Sequence, residues 1–281
     1  MRLFKYCSPD RIDVLRDRRI RFSSPLVLND PFELKPHFKA LATQSYLECE
    51  FEKAFDLEIK RQSSVVVGGL SEAQINFLWQ DYLTKAKLFF LNSASSMMPA
   101  IGAAISSKFE EMIGILCLTE DVSNLLMWAH YADSHKGFVI EFDPDSDFFD
   151  QRKGDKDEFR FIRKVLYQEV RPSLTLMDLE SFEPFLTKGK DWEYEREWRM
   201  MLPLADADHV IGQGGEAVHL FSFPAAAIKA VFFGERMDKL KCAEIMSILD
   251  AEDCFSHVEC HQVKIDDMNF RLNMEQVARN I

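Results

Sequence analysis

The chain has 281 residues, 47% hydrophobic and 28% charged, with a formal net charge of −12. This composition is globular and large enough for one core with a sizeable insertion, and its acidity argues against broad binding to nucleic acid. No window of about 18 apolar residues stands out as a membrane span, residues 1–6 lack the apolar core of a signal peptide, and Cys7, Cys49, Cys117, Cys242, Cys254 and Cys260 form no CxxC pair; a reduced, cytoplasmic protein with no membrane partner is expected.

Taken in order, residues 2–7 alternate as a short strand. Ser8-Pro9 then offers a helix start, with Ile12 and Leu15 on its apolar side. Residues 19–23 read as a second strand. The stretch from Ser23 to Glu33 holds two prolines and an Asn29-Asp30 pair, which makes it an ordered polar loop of the kind that carries function, or else a plain connector. Residues 41–112 read as helical: Leu47, Phe51 and Phe55, then Ile75, Leu78, Trp79 and Tyr82, recur at helical spacing. A break is expected at Val65 to Gly69, a capping box at Ser71 and Gln74, and a third helix over residues 94–107.

Beyond that block, residues 114–118 and 138–142 read as buried strands, separated by a helix over residues 124–133. A long strand is expected over residues 159–170 and a helix over residues 174–186. Strands follow at residues 218–223, 230–233 and 257–265, with a helix at 237–249. The expected class is α+β: a single domain, residues 1–281, with a mixed, split β-core and residues 41–112 as a helical insertion or cap.

The densest chemistry lies in Asp191-Trp192-Glu193-Tyr194-Glu195-Arg196-Glu197-Trp198-Arg199. On one continuous strand, Glu193, Glu195 and Glu197 would share a face, and like charges there repel unless cations meet them. The spacing predicts a turn through residues 192–195, then a strand from Arg196 that takes Glu197 and Arg199 inside; a solvated charged edge is the alternative. Met127-Trp128-Ala129-His130-Tyr131 lies on the helix after the first buried strand, with His135 near its end. His130, His135 and Glu141 are metal-ligand types, but the i, i+5 spacing does not put both histidines on one helical face. Cys254, His257, Cys260 and His261 match no zinc spacing, so no metal is expected. Gly212-Gln213-Gly214-Gly215 lacks the Lys-Ser/Thr of a phosphate loop, and no Gly-x-Ser-x-Gly occurs.

Phe4-Lys5-Tyr6, Ile20-Arg21-Phe22-Ser23-Ser24-Pro25 with Asn29-Asp30-Pro31-Phe32-Glu33, Met127-Trp128-Ala129-His130-Tyr131 with His135-Lys136-Gly137-Phe138, and Trp192 to Arg199 together resemble the bacterial domain-of-unknown-function family 2971. The family supplies no activity. More distantly, the strand–helix–strand opening, the Ser-Ser-Pro strand end and the late Glu-x-Glu are similar to the ADP-ribosyltransferase fold. That resemblance implies NAD as substrate, held as a small nucleotide ligand in a split β-core, and a role as a toxin or phage-defence effector. It makes Glu197, with Glu195, the catalytic acid; Lys5, Tyr6, Ser23 and Ser24 contacts to NAD; and Tyr131 or Trp128 the nicotinamide stack. The first strand departs from that fold in lacking an inward His, and Ser23-Ser24 comes early. Without catalysis, Asn29, Asp30, Trp128, His130 and Arg199 would instead form a ligand-sensing hydrogen-bond network. A metal-dependent hydrolase or nuclease built on His130 and His135 is the remaining alternative.

Overall fold

The computed structural model describes residues 1–62, 71–179, 181–214 and 217–279. In chain order it contains β1 (Leu3–Cys7), α1 (Asp13–Asp17), β2 (Arg19–Phe22), β3 (His37–Ala40), α2 (Gln44–Gln62), α3 (Glu72–Met112), β4 (Ile113–Thr119), α4 (Leu125–Tyr131), β5 (Phe138–Phe142), β6 (Arg163–Lys164) and β7 (Leu166–Gln168). Then come β8 (Ser173–Thr175), β9 (Thr187–Gly189), β10 (Glu197–Pro203), β11 (His209–Ile211), β12 (Val218–Ser222), β13 (Ile228–Phe233), α5 (Lys239–Ala251), β14 (Glu259–Ile265) and β15 (Leu272–Val277). Two compact units result: Met1–Leu34 with Phe109–Val170 and Phe185–Ile281, and Lys35–Lys108 with Arg171–Pro184. The class is α+β.

The larger unit is built on an eight-stranded sheet in the order β15-β14-β13-β5-β1-β4-β10-β6. Its pairs are antiparallel except β13 with β14. Both faces of its centre are covered. One face packs Leu3, Ile140, Phe142, Val231 and Leu116 against Val14 and Leu15 of α1 and Ile245 and Leu249 of α5. The other packs Phe4, Tyr6, Val139 and Phe232 against Met127 and Trp128 of α4. All five residues of β5 are buried, which explains its unbroken apolar run. Each large side chain so buried contributes about 1.5–3 kcal/mol. Glu141 is the polar exception in β5, and Arg2 meets both its oxygens at 2.7 Å.

The sheet has a seam. β1 pairs with β5 over all five of its residues, but with β4 only at Phe4 and Thr119. Beyond that pair β1 and β4 diverge, and the gap is bridged by Lys5, whose Nζ donates to the Cys117 carbonyl at 3.0 Å.

In the smaller unit, β3 and β8 pair in parallel, and α2 packs on α3. Phe51 lies 5.3 Å from Phe90, and Phe55 lies 6.1 Å from Trp79 and 5.9 Å from Tyr82. Ser71 and Gln74 form the expected capping box, each accepting from the other's segment at 3.0–3.3 Å. The break expected at Val65 to Gly69 lies outside the described residues, as does Gly215.

Three expected elements differ. Residues 94–107 are not a separate helix but part of α3, which runs through Pro99. Among the described residues of 174–186 there is no α-helix: β8 is followed by 3-10 turns at Leu176–Asp178 and Glu183–Leu186, because Pro184 and the pairing with β3 interrupt a longer helix. The single strand expected over residues 159–170 is β6 and β7, which pair with different neighbours, β10 and β9; Val165, between them, donates its N–H to the Glu197 carbonyl. A fourth expectation also changes. The portion Phe77–Met112 of α3 contains an 18-residue window of mean hydropathy 1.4, long and apolar enough to cross a membrane by length and composition. Scattered serines and Pro99 conceal it from a residue-by-residue reading.

Candidate functional site

The acidic segment folds as its charges require. Lys190–Glu195 is a 3-10 turn that ends at Arg196 in the left-handed region, φ 43°. That residue turns the chain so that Glu195 and Glu197 both go inside while Glu193 stays exposed. β10 then lies against β4 with Glu197 opposite Thr119 and Arg199 opposite Cys117. Residues opposite one another share a face, so Glu197, Arg199, Cys117 and Thr119 all look to the side of the sheet that carries α4.

Two cations meet the carboxylates. Lys188, on β9, places Nζ 2.6 Å from Glu195 Oε2, 3.2 Å from Glu197 Oε2 and 3.8 Å from Glu33 Oε2. Arg199 donates through Nε and Nη2 to the two oxygens of Glu197, each at 2.8 Å, and its Nη1 pairs with Glu33 Oε1. All five side chains are at most 6% exposed as residues. Three carboxylates against two cations leave one negative charge in excess, in a setting where unpaired charge is costly.

The carboxyls respond in opposite directions. Burial alone would push Glu197 up, but the charge of Arg199, its paired hydrogen bonds and Lys188 overcome this and hold it well below the usual carboxylate range. For Glu33 burial wins over Arg199 and Lys188, and its pKa is raised. Burial also raises the Cys117 thiol, reinforced by Glu197.

Neighbouring elements finish the site. Asn124 caps α4 by accepting from Leu126 and Met127 N–H, and its Nδ2 donates to the Tyr194 carbonyl at 2.9 Å. This ties α4 to the turn before Glu195. Tyr131, at the end of α4, donates to Glu195 Oε1 at 2.6 Å and accepts from Asn29 Nδ2 at 3.0 Å; burial and Glu195 raise its phenol pKa. Thr119 Oγ1 donates to the Glu195 carbonyl at 2.5 Å, and Glu197 N–H donates to Tyr167 at 2.8 Å.

Where β1 and β4 separate, a cavity of about 220 Å³ opens. Lys5, Tyr6, Ser23, Asn29, Tyr131, Glu195 and Glu197, all expected site residues, line it, together with Glu33, Cys117, Thr119 and Lys188. A larger cavity of about 350 Å³, lined by His135, Glu235, Arg236 and residues 265–272, has none of the buried ion cluster; the smaller one is the better site on chemistry. Its volume is below the ~300–1,000 Å³ of pockets for whole drug-sized ligands.

Five expected residues stand elsewhere. Ser24 caps the turn Pro25–Val27 and donates to the Glu110 carbonyl at 2.7 Å. Asp30 accepts from Phe32 N–H at 2.9 Å. Trp128 is fully buried, its Nε1 donating to the Val122 carbonyl at 2.7 Å and its ring edge-on to Tyr6 at 5.3 Å; it is core and presents no face to a ligand. His130 is exposed. Arg199 sits behind Glu197 and is not a lining residue. The metal alternative lacks its cluster: His135 stacks at 6.1 Å on Trp128 while Glu141 is held by Arg2, and among the described residues no three His, Cys, Asp or Glu are grouped to hold an ion.

Glu33 and Lys188 were missed by sequence reasoning. The signal for Lys188 was indirect: three carboxylates in five residues demand cations, and of the two local ones, Arg196 and Arg199, only Arg199 goes inside.

Residues 127–200 match the family described as a protein of unknown function, DUF2971. The expected resemblance therefore holds over a stretch that carries Tyr131, Lys188, Glu195, Glu197 and Arg199. No curated protein and no solved structure matches the chain.

Proposed function

We propose that this chain is an NAD-consuming enzyme of ADP-ribosyltransferase type, with the nicotinamide ribose seated in the seam cavity. The observation that carries this reading is the excess negative charge of Glu33, Glu195 and Glu197 over Lys188 and Arg199 at one end of the cavity, with Lys5 on another wall. A ligand with a cationic ring and a phosphate suits that polarity. In the reaction the ribose–nitrogen bond breaks and its electron pair leaves with nicotinamide, cancelling the ring's charge. Positive charge then develops on the ribose, where a fixed carboxylate in a dry site stabilises it most. Water or an acceptor hydroxyl forms the new bond and gives up its proton.

Within that reading the two glutamates divide the work. Glu197 has both oxygens committed to Arg199 and one also to Lys188. Glu195 has one partner per oxygen, Tyr131 and Lys188, so each oxygen keeps a lone pair for a ribose hydroxyl or the developing cation. Glu195 is the carboxylate that meets the ligand, and Glu197 fixes the cations around it.

Incubating the purified chain with NAD and following free nicotinamide by chromatography tests this. Release by the parent chain, abolished in Glu195→Gln, is expected. The absence of both nicotinamide release and a thermal shift with NAD overturns it. A thermal shift without release would favour the second reading, a ligand sensor, which the full commitment of Glu197 to protein cations supports.

A further inference from the structure

The helix α3 carries a run of 20 residues without a formal charge, Leu88 to Ser107, closed by Lys87 at one end and Lys108 at the other. At 1.5 Å per residue such a run is about 30 Å long, the thickness of a bilayer's hydrocarbon layer. A core helix of similar hydropathy would be mostly buried. Here the window of mean hydropathy 1.4 is only 6% buried. Leu88 is 61% exposed, Phe89 75% and Met97 58%. Trp79 and Tyr82 precede the run, where aromatic rings favour a membrane–water boundary, and Lys87, paired with Glu52, closes it on that side. Pro99 and Gly102 are commoner in membrane helices than in soluble ones. The net charge of −12 excludes a general electrostatic pull toward anionic lipid, so the occupant is selected by the hydrocarbon layer and not by headgroup charge.

We propose that the Leu88 to Ser107 run of α3 inserts into a lipid bilayer. The competing occupant is a second copy of the chain, since Ser96, Ala100 and Ala104 are small residues four apart on α3 and permit close helix contact. Flotation of the full chain with neutral phosphatidylcholine vesicles, at low and high salt, decides between them. Co-flotation that is indifferent to salt is expected, with at least a tenfold fall in the vesicle-bound fraction for the double variant Phe89→Asp and Ala103→Asp. Both positions are exposed, and circular dichroism of the variant checks that its helix content is kept. The proposal is overturned if the parent chain stays in the dense fraction. It is equally overturned if binding needs anionic lipid and disappears in salt. A dimer in light scattering that the double variant dissociates, with no vesicle binding, assigns the face to a second copy.

Discussion

Lys188 Nζ lies 2.6 Å from Glu195 Oε2, with both side chains 4% exposed. The ammonium is the hub of the cluster, facing Glu33, Glu195 and Glu197 together, and those carboxylates hold its pKa above the usual lysine range against the opposing effect of burial. Replacing it by an isosteric apolar residue leaves three buried carboxylates with only Arg199. Lys188→Met is expected to cost about 3–5 kcal/mol, the range for breaking a buried pair from one side. Chemical denaturation measures this. Adding Glu195→Gln to that variant is expected to recover part of the loss, because it removes the charge left unpaired.

The pH dependence has a sign fixed by Glu197. Its carboxyl is held down, to about 2 from an ordinary 4.5, by Arg199 and Lys188 against the effect of burial. A carboxyl with a depressed folded pKa contributes stability that is complete above its unfolded value and is lost as pH falls through the folded one. Glu33 is shifted upward and works in the opposite sense, easing its penalty as it protonates. Stability from Glu197 is therefore expected to decline between about pH 4.5 and 2. A thermal melt series over that window checks it, and Glu197→Gln is expected to flatten the slope while lowering stability at neutral pH.

Glu195→Gln tests the proposed chemistry, with its melting temperature read alongside because Glu195 also pairs with Lys188. The amide keeps the size of the side chain and retains an acceptor for Tyr131, but removes the charge that the proposed reaction requires. Nicotinamide release is expected to fall by about 10²–10³, the loss typical of one electrostatic stabilising group. A variant with unchanged release would remove Glu195 from the reaction.

Gly137 tests the turn that leaves α4. Asp133, Ser134 and His135 all have positive φ, 45°, 55° and 69°, so the chain makes a left-handed turn before β5. A Cβ on Gly137 would lie 2.0 Å from the Cys7 carbonyl oxygen and 3.1 Å from that of Ala132. Both are backbone atoms and neither can rotate away. Gly137→Ala is expected to cost on the order of 4 kcal/mol or to prevent folding. Gly154→Ala, where no atom lies within 4 Å of the added carbon, is expected to change stability by less than about 0.5 kcal/mol. Expression level and melting temperature of the pair read out the difference.

Much of the larger unit was legible because its signals are local. The apolar runs at Gly114 and Phe138 mark strands covered on both faces, and like-charge repulsion alone predicted the turn before Glu197 and the inward course of Arg199. The cavity gathers Tyr6, Ser23, Asn29, Tyr131 and Glu197 from separate motifs, which the resemblance to the ADP-ribosyltransferase fold implied for all of them but Asn29. Lys188 was not legible, because β9 is three residues long and pairs with β7 in parallel, which no periodicity records. Glu33 was hidden for a similar reason: it sits in a turn whose Asp30 and Pro31 explain themselves locally, while its partners Arg199 and Lys188 are more than 150 positions away. Trp128 and His130 show the limit of helical spacing, which fixes which side chains neighbour one another along α4 but not which side faces the sheet.

With β1 joined to β4 at the single pair Phe4 and Thr119, the sheet is two panels on a narrow spine. One is β15-β14-β13-β5-β1, the other β4-β10-β6. Few backbone bonds resist their breathing, so amides flanking the spine are expected to exchange with solvent faster than those inside either panel. A molecule lodged between the panels would act as a clasp, and its affinity would be read as rigidity gained across the spine as much as in the contacts it makes.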